Sequence, residues 1–170
     1  PDVMQPGLYL VKLHLSNKDP LKALAVANDL SMRFADSPTV LEVLGTAQLA
    51  SGETNSAVRT YQRLAELRRA PNNYLQLAKV RMEVKDLGGA RLALGEALRL
   101  NPEFLQAKQL LTVLELRDRN ANEALVLAWD LQRMDPEGSE GYALEGAAYA
   151  MLGQTANAMA AYERAYKKRK

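Results

Sequence analysis

A small residue recurs along this chain at a nearly constant interval. Ala57, Ala90, Ala124 and Ala158 follow Ala23 at spacings of 34, 33, 34 and 34 residues. A period this regular over almost the whole length is typical of a short helical unit that is copied in tandem and stacked into a solenoid. The chain of 170 residues is therefore predicted to hold about five such units.

Other positions keep a fixed distance from these alanines. Four and seven residues after them stand mostly apolar residues, namely Ala27, Tyr61, Leu94, Ala128 and Tyr162, then Leu30, Leu64, Ala97, Leu131 and Ala165. Because these offsets share one face of an α-helix, the alanines mark a second helix in each unit. Thirteen residues before them, on the predicted first helix, stand Leu10, Leu44, Leu77, Leu111 and Glu145.

Proline and turn residues fit the same period. Prolines fall between units, where a missing amide proton and a fixed φ end one helix and start the next; they are Pro38, Pro71, Pro102 and Pro136. The bend inside each unit is predicted near Lys18, Gly52, Lys85, Arg119 and Gly153. We also expect the run Leu87-Gly88-Gly89 to form part of the bend in the third unit rather than a phosphate-binding loop.

The repeated residues resemble a known family. The clearest copy reads Leu41-x-x-Leu44-Gly45-x-Ala47 and continues with Gly52, Ala57, Tyr61 and Leu64, and the fifth copy carries Gly146, Tyr149, Gly153, Ala158, Tyr162 and Ala165. This pattern resembles the tetratricopeptide repeat (TPR). The resemblance implies an all-α fold, a right-handed TPR superhelical solenoid of about five helix-turn-helix repeats, at about 4–37, 38–70, 71–104, 105–138 and 139–170. We expect this single array over 1–170 to be part of a longer protein, because a solenoid needs a polar terminal cap.

Composition and motifs argue against several functional classes. The chain has 48% hydrophobic and 25% charged residues, no cysteine and a single histidine, His14. Nucleotide-binding, serine-hydrolase and zinc-protease motifs are absent from the sequence, which predicts no enzyme, no cofactor and no metal. Charged residues interrupt every apolar run, so we expect no membrane insertion by this segment. The basic cluster Arg59, Arg63, Arg68 and Arg69 is read as a solvated helix face, and no nucleic-acid partner is expected at a net charge of +2.

The TPR resemblance implies a partner-binding surface on the first helix of each repeat, which lines the concave side of such arrays. Mapping the family's ligand-facing places onto this sequence predicts a protein or peptide partner and ten candidate contacts, namely Tyr9, Lys12, Glu42, Thr46, Gln76, Lys79, Gln109, Leu110, Val113 and Leu144. The asparagines that clamp a carboxylate in some TPR proteins are absent from the matching places. The apolar candidates favour an amphipathic helix or an apolar peptide, although packing against neighbouring helices is an equal alternative for each leucine.

A second resemblance concerns biological setting. Segments such as 114–117, 123–125 and 141–146 are similar to the TPR arrays of bacterial PEP-CTERM/exosortase-system lipoproteins. This similarity implies a scaffold in exopolysaccharide export or protein sorting, in the periplasm or at the outer membrane through a lipid outside this segment; a cytoplasmic location is the alternative. Two other functions remain open: self-association through uncapped ends, and an accessory domain of a polysaccharide-related enzyme.

Overall fold

The computed structural model describes residues 4–168, and the regular secondary structure of this range is all α-helix, without strands. The helices are α1 (Met4–Ser16), α2 (Pro20–Arg33), α3 (Pro38–Ala50), α4 (Thr54–Leu67), α5 (Pro71–Glu83), α6 (Leu87–Leu100), α7 (Leu105–Arg117), α8 (Ala121–Met134), α9 (Glu140–Met151) and α10 (Thr155–Lys168). Short turns join consecutive helices into five helix-turn-helix pairs, which confirms the predicted all-α helix-turn-helix architecture. Proline occupies the first turn of α2, α3 and α5, where its missing amide proton costs no helical hydrogen bond.

One turn geometry closes the first helix of every hairpin. The residues predicted at the bends, Lys18, Gly52, Lys85, Arg119 and Gly153, all have positive φ, between 58° and 80°. In the first hairpin, Lys18 N–H donates to Leu15 C=O at 3.1 Å and Asp19 N–H donates to His14 C=O at 2.8 Å. This paired pattern is a Schellman motif. It recurs in the other four hairpins, so the predicted bends are confirmed.

The prediction for Leu87-Gly88-Gly89 was wrong. The bend of the third hairpin spans Val84 to Asp86, and α6 already begins at Leu87. The Gly89 N–H donates to Asp86 Oδ1 at 2.9 Å, so the carboxylate caps the first turn of the helix. Gly88 and Gly89 therefore belong to a capped helix start, where a local hydrogen bond outweighs the weak helix propensity of glycine.

The structure divides into two compact units between Ala93 and Leu94, inside α6. In the first unit each helix packs on the next from α1 to α5, and α1 also contacts α3. Its core includes Val11, Ala23, Ala27, Val40 and Ala47, all fully buried. The predicted small positions therefore let the helix backbones approach closely.

In the second unit α8 packs against α7 and α9, and α9 packs against α10. Ala124, Ala128 and Leu131 are buried at the positions that the sequence period marks. Glu145, which replaces leucine in the pattern, is also buried, and it accepts hydrogen bonds from Trp129 Nε1 at 3.0 Å and Gln132 Nε2 at 2.9 Å. A buried carboxylate is tolerated here because two donors replace its lost hydration.

Candidate functional site

The first helices of the first unit expose polar and aromatic side chains at the predicted contact positions. On α1, Leu8 and Val11 point into the core, whereas Tyr9 is 69% exposed and Lys12 is exposed beside it. Likewise Glu42 and Thr46 on α3, and Gln76 and Lys79 on α5, are exposed. The helical period thus places these six predicted contacts on solvent-facing positions.

Three of these residues line one pocket. Glu42 and Thr46 of α3 and Gln76 of α5 surround a cavity of about 370 Å³. The remaining lining residues come from α4 and α5, namely Tyr61, Leu64, Asn72 and Asn73. This volume falls at the lower end of the range for ligand sites, roughly 300–1,000 Å³, but the lining is unusually polar.

Tyr61 forms the floor of this pocket. Its side chain is only 4% exposed, and its ring lies where Gly45 leaves room: a Cβ on Gly45 would stand 2.8 Å from Tyr61 Cε2. The phenol oxygen lies 3.2 Å from Thr46 Oγ1, which itself lies 2.8 Å from the Glu42 carbonyl oxygen. The Thr46 hydroxyl has one proton and donates it to that carbonyl, so Thr46 accepts the hydrogen bond from Tyr61. The phenol oxygen of Tyr61 therefore keeps its lone pairs as acceptors.

The electrostatic character of the pocket is negative. Burial raises the pKa of the Tyr61 hydroxyl, and the charges of Glu42 and Glu83 raise it further. The phenol therefore stays protonated at neutral pH. The lining contains one carboxylate, that of Glu42, and no lysine or arginine.

In the second unit the four predicted contacts are less accessible. Gln109, Leu110 and Val113 on α7 are half-buried. Leu144 on α9 is 8% exposed and packs with Ala128 and Leu131, and Val113 packs against the same cluster. Val113 and Leu144 therefore pack at the interface among α7, α8 and α9. The role of all four residues as partner contacts stays a prediction.

A buried lysine was not foreseen in this unit. Lys108 on α7 is 8% exposed and forms an ion pair with Asp130 on α8, which also binds Arg133. The hydrogen bonds from Lys108 and then Arg133 lower the pKa of Asp130. Because Lys108 is buried, this pair is structural and contributes little charge to the surface.

The α4 arginines engage acidic or polar neighbours. Arg63 pairs with Asp36, and Arg59 donates to Ser56 at 3.2 Å. Within residues 4–168 no three histidine, cysteine, aspartate or glutamate side chains come close enough to hold a metal ion. The helices of this same range are too short or too polar for any of them to cross a membrane.

The fold matches solved structures along nearly the whole chain. A crystal structure of MamA superposes with a TM-score of 0.87 at 17% identity, covering 98% of this chain and 92% of that one. The chain has the TPR fold. YrrB, whose structure is described as that of a TPR protein with an unusual peptide-binding site, gives a TM-score of 0.78 at 16% identity, covering 96% of this chain and 84% of YrrB.

A third TPR protein, from Parabacteroides merdae ATCC 43184, superposes with a TM-score of 0.83 at 19% identity, covering 99% of this chain and 66% of that protein. No family model matches the sequence, and no curated protein matches it either. The similarity to these solved structures confirms the TPR fold that the sequence resemblance implied. At these low identities the similarity extends to the fold alone.

The ten candidate contacts do not include four residues of the pocket lining, namely Tyr61, Leu64, Asn72 and Asn73. Tyr61 occupies a position of the apolar stripe and was assigned to packing, yet it also lines the pocket. Asn73 lies in the first turn of α5, and its Nδ2 donates to Arg68 C=O at 2.8 Å. The available signal was chemical: tyrosine, unlike the alanine or leucine at the same place in repeats one, three and four, carries a polar tip.

Proposed function

We propose that this protein is a non-catalytic scaffold that binds a peptide segment of a protein partner along the exposed faces of its first helices. One observation carries the proposal: side chains from three successive helices converge on a polar pocket at the centre of the predicted contact row of the first unit. The peptide-binding site named for YrrB, on the same fold, supports this use of the surface.

The chemistry of the surface is that of recognition. Glu42, Asn72 and Gln76 present carboxylate and amide groups at the pocket, and the exposed ring of Tyr9 lies on the same series of first helices. Aromatic and amide side chains of this kind provide contact area and directional hydrogen bonds to a peptide. The pocket offers no nucleophile paired with a base, so binding is the activity that its residue types support.

Selection of peptides from a random display library against the folded protein tests this function. Selected peptides should perturb backbone amides of α3 and α5 in NMR spectra of the protein. Asn72→Ala and Gln76→Ala should each weaken binding about fivefold or more, as expected when a hydrogen bond of roughly 1 kcal/mol is lost. Arg59→Ala, on the exposed face of α4, is the matched control. Peptides that bind equally well to all three variants would contradict the proposal.

A second candidate is self-association, and the surface of α10 favours it. Met159, Tyr162 and Tyr166 are 60%, 44% and 68% exposed, and together they line an apolar groove of about 360 Å³. In earlier hairpins the next first helix packs on the second helix, as α3 packs on α2. We propose that α1 of a second copy, which exposes Leu10 and Leu13, occupies this groove in a head-to-tail contact.

The oligomeric state decides this second candidate. Sedimentation across a wide concentration range should show association that Tyr166→Lys abolishes and that the control Met32→Lys, also at an exposed apolar residue, leaves intact. Wild-type protein that stays monomeric at the highest soluble concentration would rule out the head-to-tail contact.

The proposed biological setting extends this interpretation. The similarity to PEP-CTERM/exosortase-system lipoproteins supports a scaffold for exopolysaccharide export or protein sorting, anchored outside the cytoplasm through a lipid on another segment. Fractionation of cells that produce the native full-length protein tests the location. Recovery in the cytosol would overturn it and would leave the peptide-binding proposal unaffected.

A further inference from the structure

The pocket of the first unit is rich in hydrogen-bond acceptors. The Thr46 hydroxyl donates to the Glu42 carbonyl and accepts from Tyr61, so the Tyr61 oxygen keeps lone pairs that can accept a hydrogen bond. Asn73 commits Nδ2 to Arg68 C=O at 2.8 Å, which leaves its Oδ1 as the acceptor. The Glu42 carboxylate adds two more acceptor oxygens. Asn72 and Gln76 carry both donors and acceptors, so the excess of acceptors at Glu42 and Tyr61 favours a ligand that supplies donors.

The charge of the pocket also favours a ligand with donors, because it favours a cation. Glu42 forms no ion pair within the described part of the chain, residues 4–168, and no cationic side chain lines the cavity. Lys79 lies one turn from Gln76 on α5 but outside the lining, and Glu83 follows it by four residues. Burial is the largest cause that raises the pKa of Tyr61, and the negative charges of Glu42 and Glu83 raise it further.

We infer that the partner peptide inserts an arginine side chain into the pocket formed by Glu42, Thr46, Tyr61, Asn72, Asn73 and Gln76. The inference rests on the proposed peptide-binding function and names its specificity. The guanidinium group has five donors and no acceptor, and it matches a carboxylate in a paired geometry. Its positive charge balances Glu42, and its plane can lie along the Tyr61 ring edge of the pocket floor.

Arginine fits this lining better than lysine. The acceptors come from three helices, α3, α4 and α5, so they are spread around the cavity instead of converging on a point. A planar group with donors on several sides reaches more of them than a compact ammonium group does. We therefore expect discrimination between the two cations as well as against neutral side chains.

NMR titration with small probes tests the inference directly. N-acetyl-arginine amide, added to the isotope-labelled protein, should shift backbone amides of α3 and the start of α5 saturably. N-acetyl-citrulline amide, a neutral isostere, should bind at least about tenfold more weakly. This is the loss of affinity expected when a charge-assisted hydrogen bond is removed. N-acetyl-lysine amide should fall between them. Glu42→Gln should remove the preference for arginine over citrulline, whereas the exposed control Glu53→Gln should keep it.

Several outcomes would overturn the inference. Equal binding of the arginine and citrulline probes, shifts outside α3 to α5, or an unchanged preference in Glu42→Gln would each contradict it. The display selection separates this failure from that of the proposed function. Peptides that bind the first-helix surface without enrichment of arginine would refute the arginine pocket alone, whereas probe binding without any selected peptide would support the pocket and refute the peptide scaffold.

Discussion

The ring of Tyr61 should make substitution of Gly45 by a larger residue destabilising. A Cβ at this position would lie 2.8 Å from Cε2 and 2.9 Å from Cζ of Tyr61, closer than side chains pack. Tyr61 is 4% exposed and its hydroxyl is held at Thr46, so the ring has little room to retreat. We therefore predict that Gly45→Ala destabilises the protein, although alanine is the better helix former.

The magnitude follows from two opposing terms. Replacing glycine by alanine inside a helix gains about 1 kcal/mol, and overfilling a packed contact costs about 1–3 kcal/mol. Gly45→Ala should therefore lower the free energy of unfolding by up to about 2 kcal/mol. Gly95 in α6 is the matched control, because nothing lies within 4 Å of its added Cβ. Gly95→Ala should stabilise by about 1 kcal/mol.

Hydrogen exchange of individual amides is the suitable assay, because helical repeats open locally as well as globally. Exchange in α3 and α4 should accelerate in Gly45→Ala, and urea denaturation followed by circular dichroism gives the global change. Repeat three has Ala78 and Leu94 at the places of Gly45 and Tyr61. Tyr61→Leu should accordingly cost less in the Gly45→Ala background than alone. Equal stabilisation by Gly45→Ala and Gly95→Ala would refute the packing argument.

Three further predictions concern other features of the fold. Lys85→Gly should raise the unfolding free energy by about 0.5–1 kcal/mol, measured by urea denaturation, because Lys85 has a φ of 62° that glycine adopts without strain. Asp130→Asn should lower the melting temperature at pH 7, because Lys108 loses its charged partner. The pKa of Asp130 is lowered in the folded protein, so its carboxylate stabilises the fold at pH values above its ordinary pKa near 3.8. The difference in melting temperature between wild type and variant should therefore vanish as the pH falls through the lowered pKa. Glu145→Ala should cost about 1–3 kcal/mol and shift the emission of the sole tryptophan, Trp129, because its indole N–H loses an acceptor.

The helical hairpins were predictable because each depends on local chemistry. Buried alanines repeat where two helices meet, and the bend residues adopt the same left-handed geometry whether they are glycine, lysine or arginine. A Schellman motif explains this tolerance, since its two backbone hydrogen bonds recur regardless of the side chain. The start of α6 was not predictable from glycine content, because the Asp86 side chain supplies the missing stabilisation.

The candidate site was predictable only in part. Helical periodicity placed Glu42, Thr46 and Gln76 on exposed positions, and the structure gathers them around one cavity. Periodicity describes one helix at a time, so it did not show that Tyr61, from the second helix of the same hairpin, closes the cavity floor. It also did not show that Leu144 is covered by α8.

Two tyrosines at the same repeat position show what the sequence period leaves undecided. Tyr61 and Tyr162 each pack against a glycine, Gly45 or Gly146, with ring carbons 2.8 Å from the point where a Cβ of that glycine would stand. Yet Tyr61 is 4% exposed and Tyr162 is 44% exposed. The difference arises outside the hairpin: α5 packs on α4, whereas no later helix covers α10 within residues 4–168. The repeat thus fixes how a tyrosine packs inside its hairpin, and the neighbouring helix determines whether the rest of the ring forms a pocket floor or an open apolar surface.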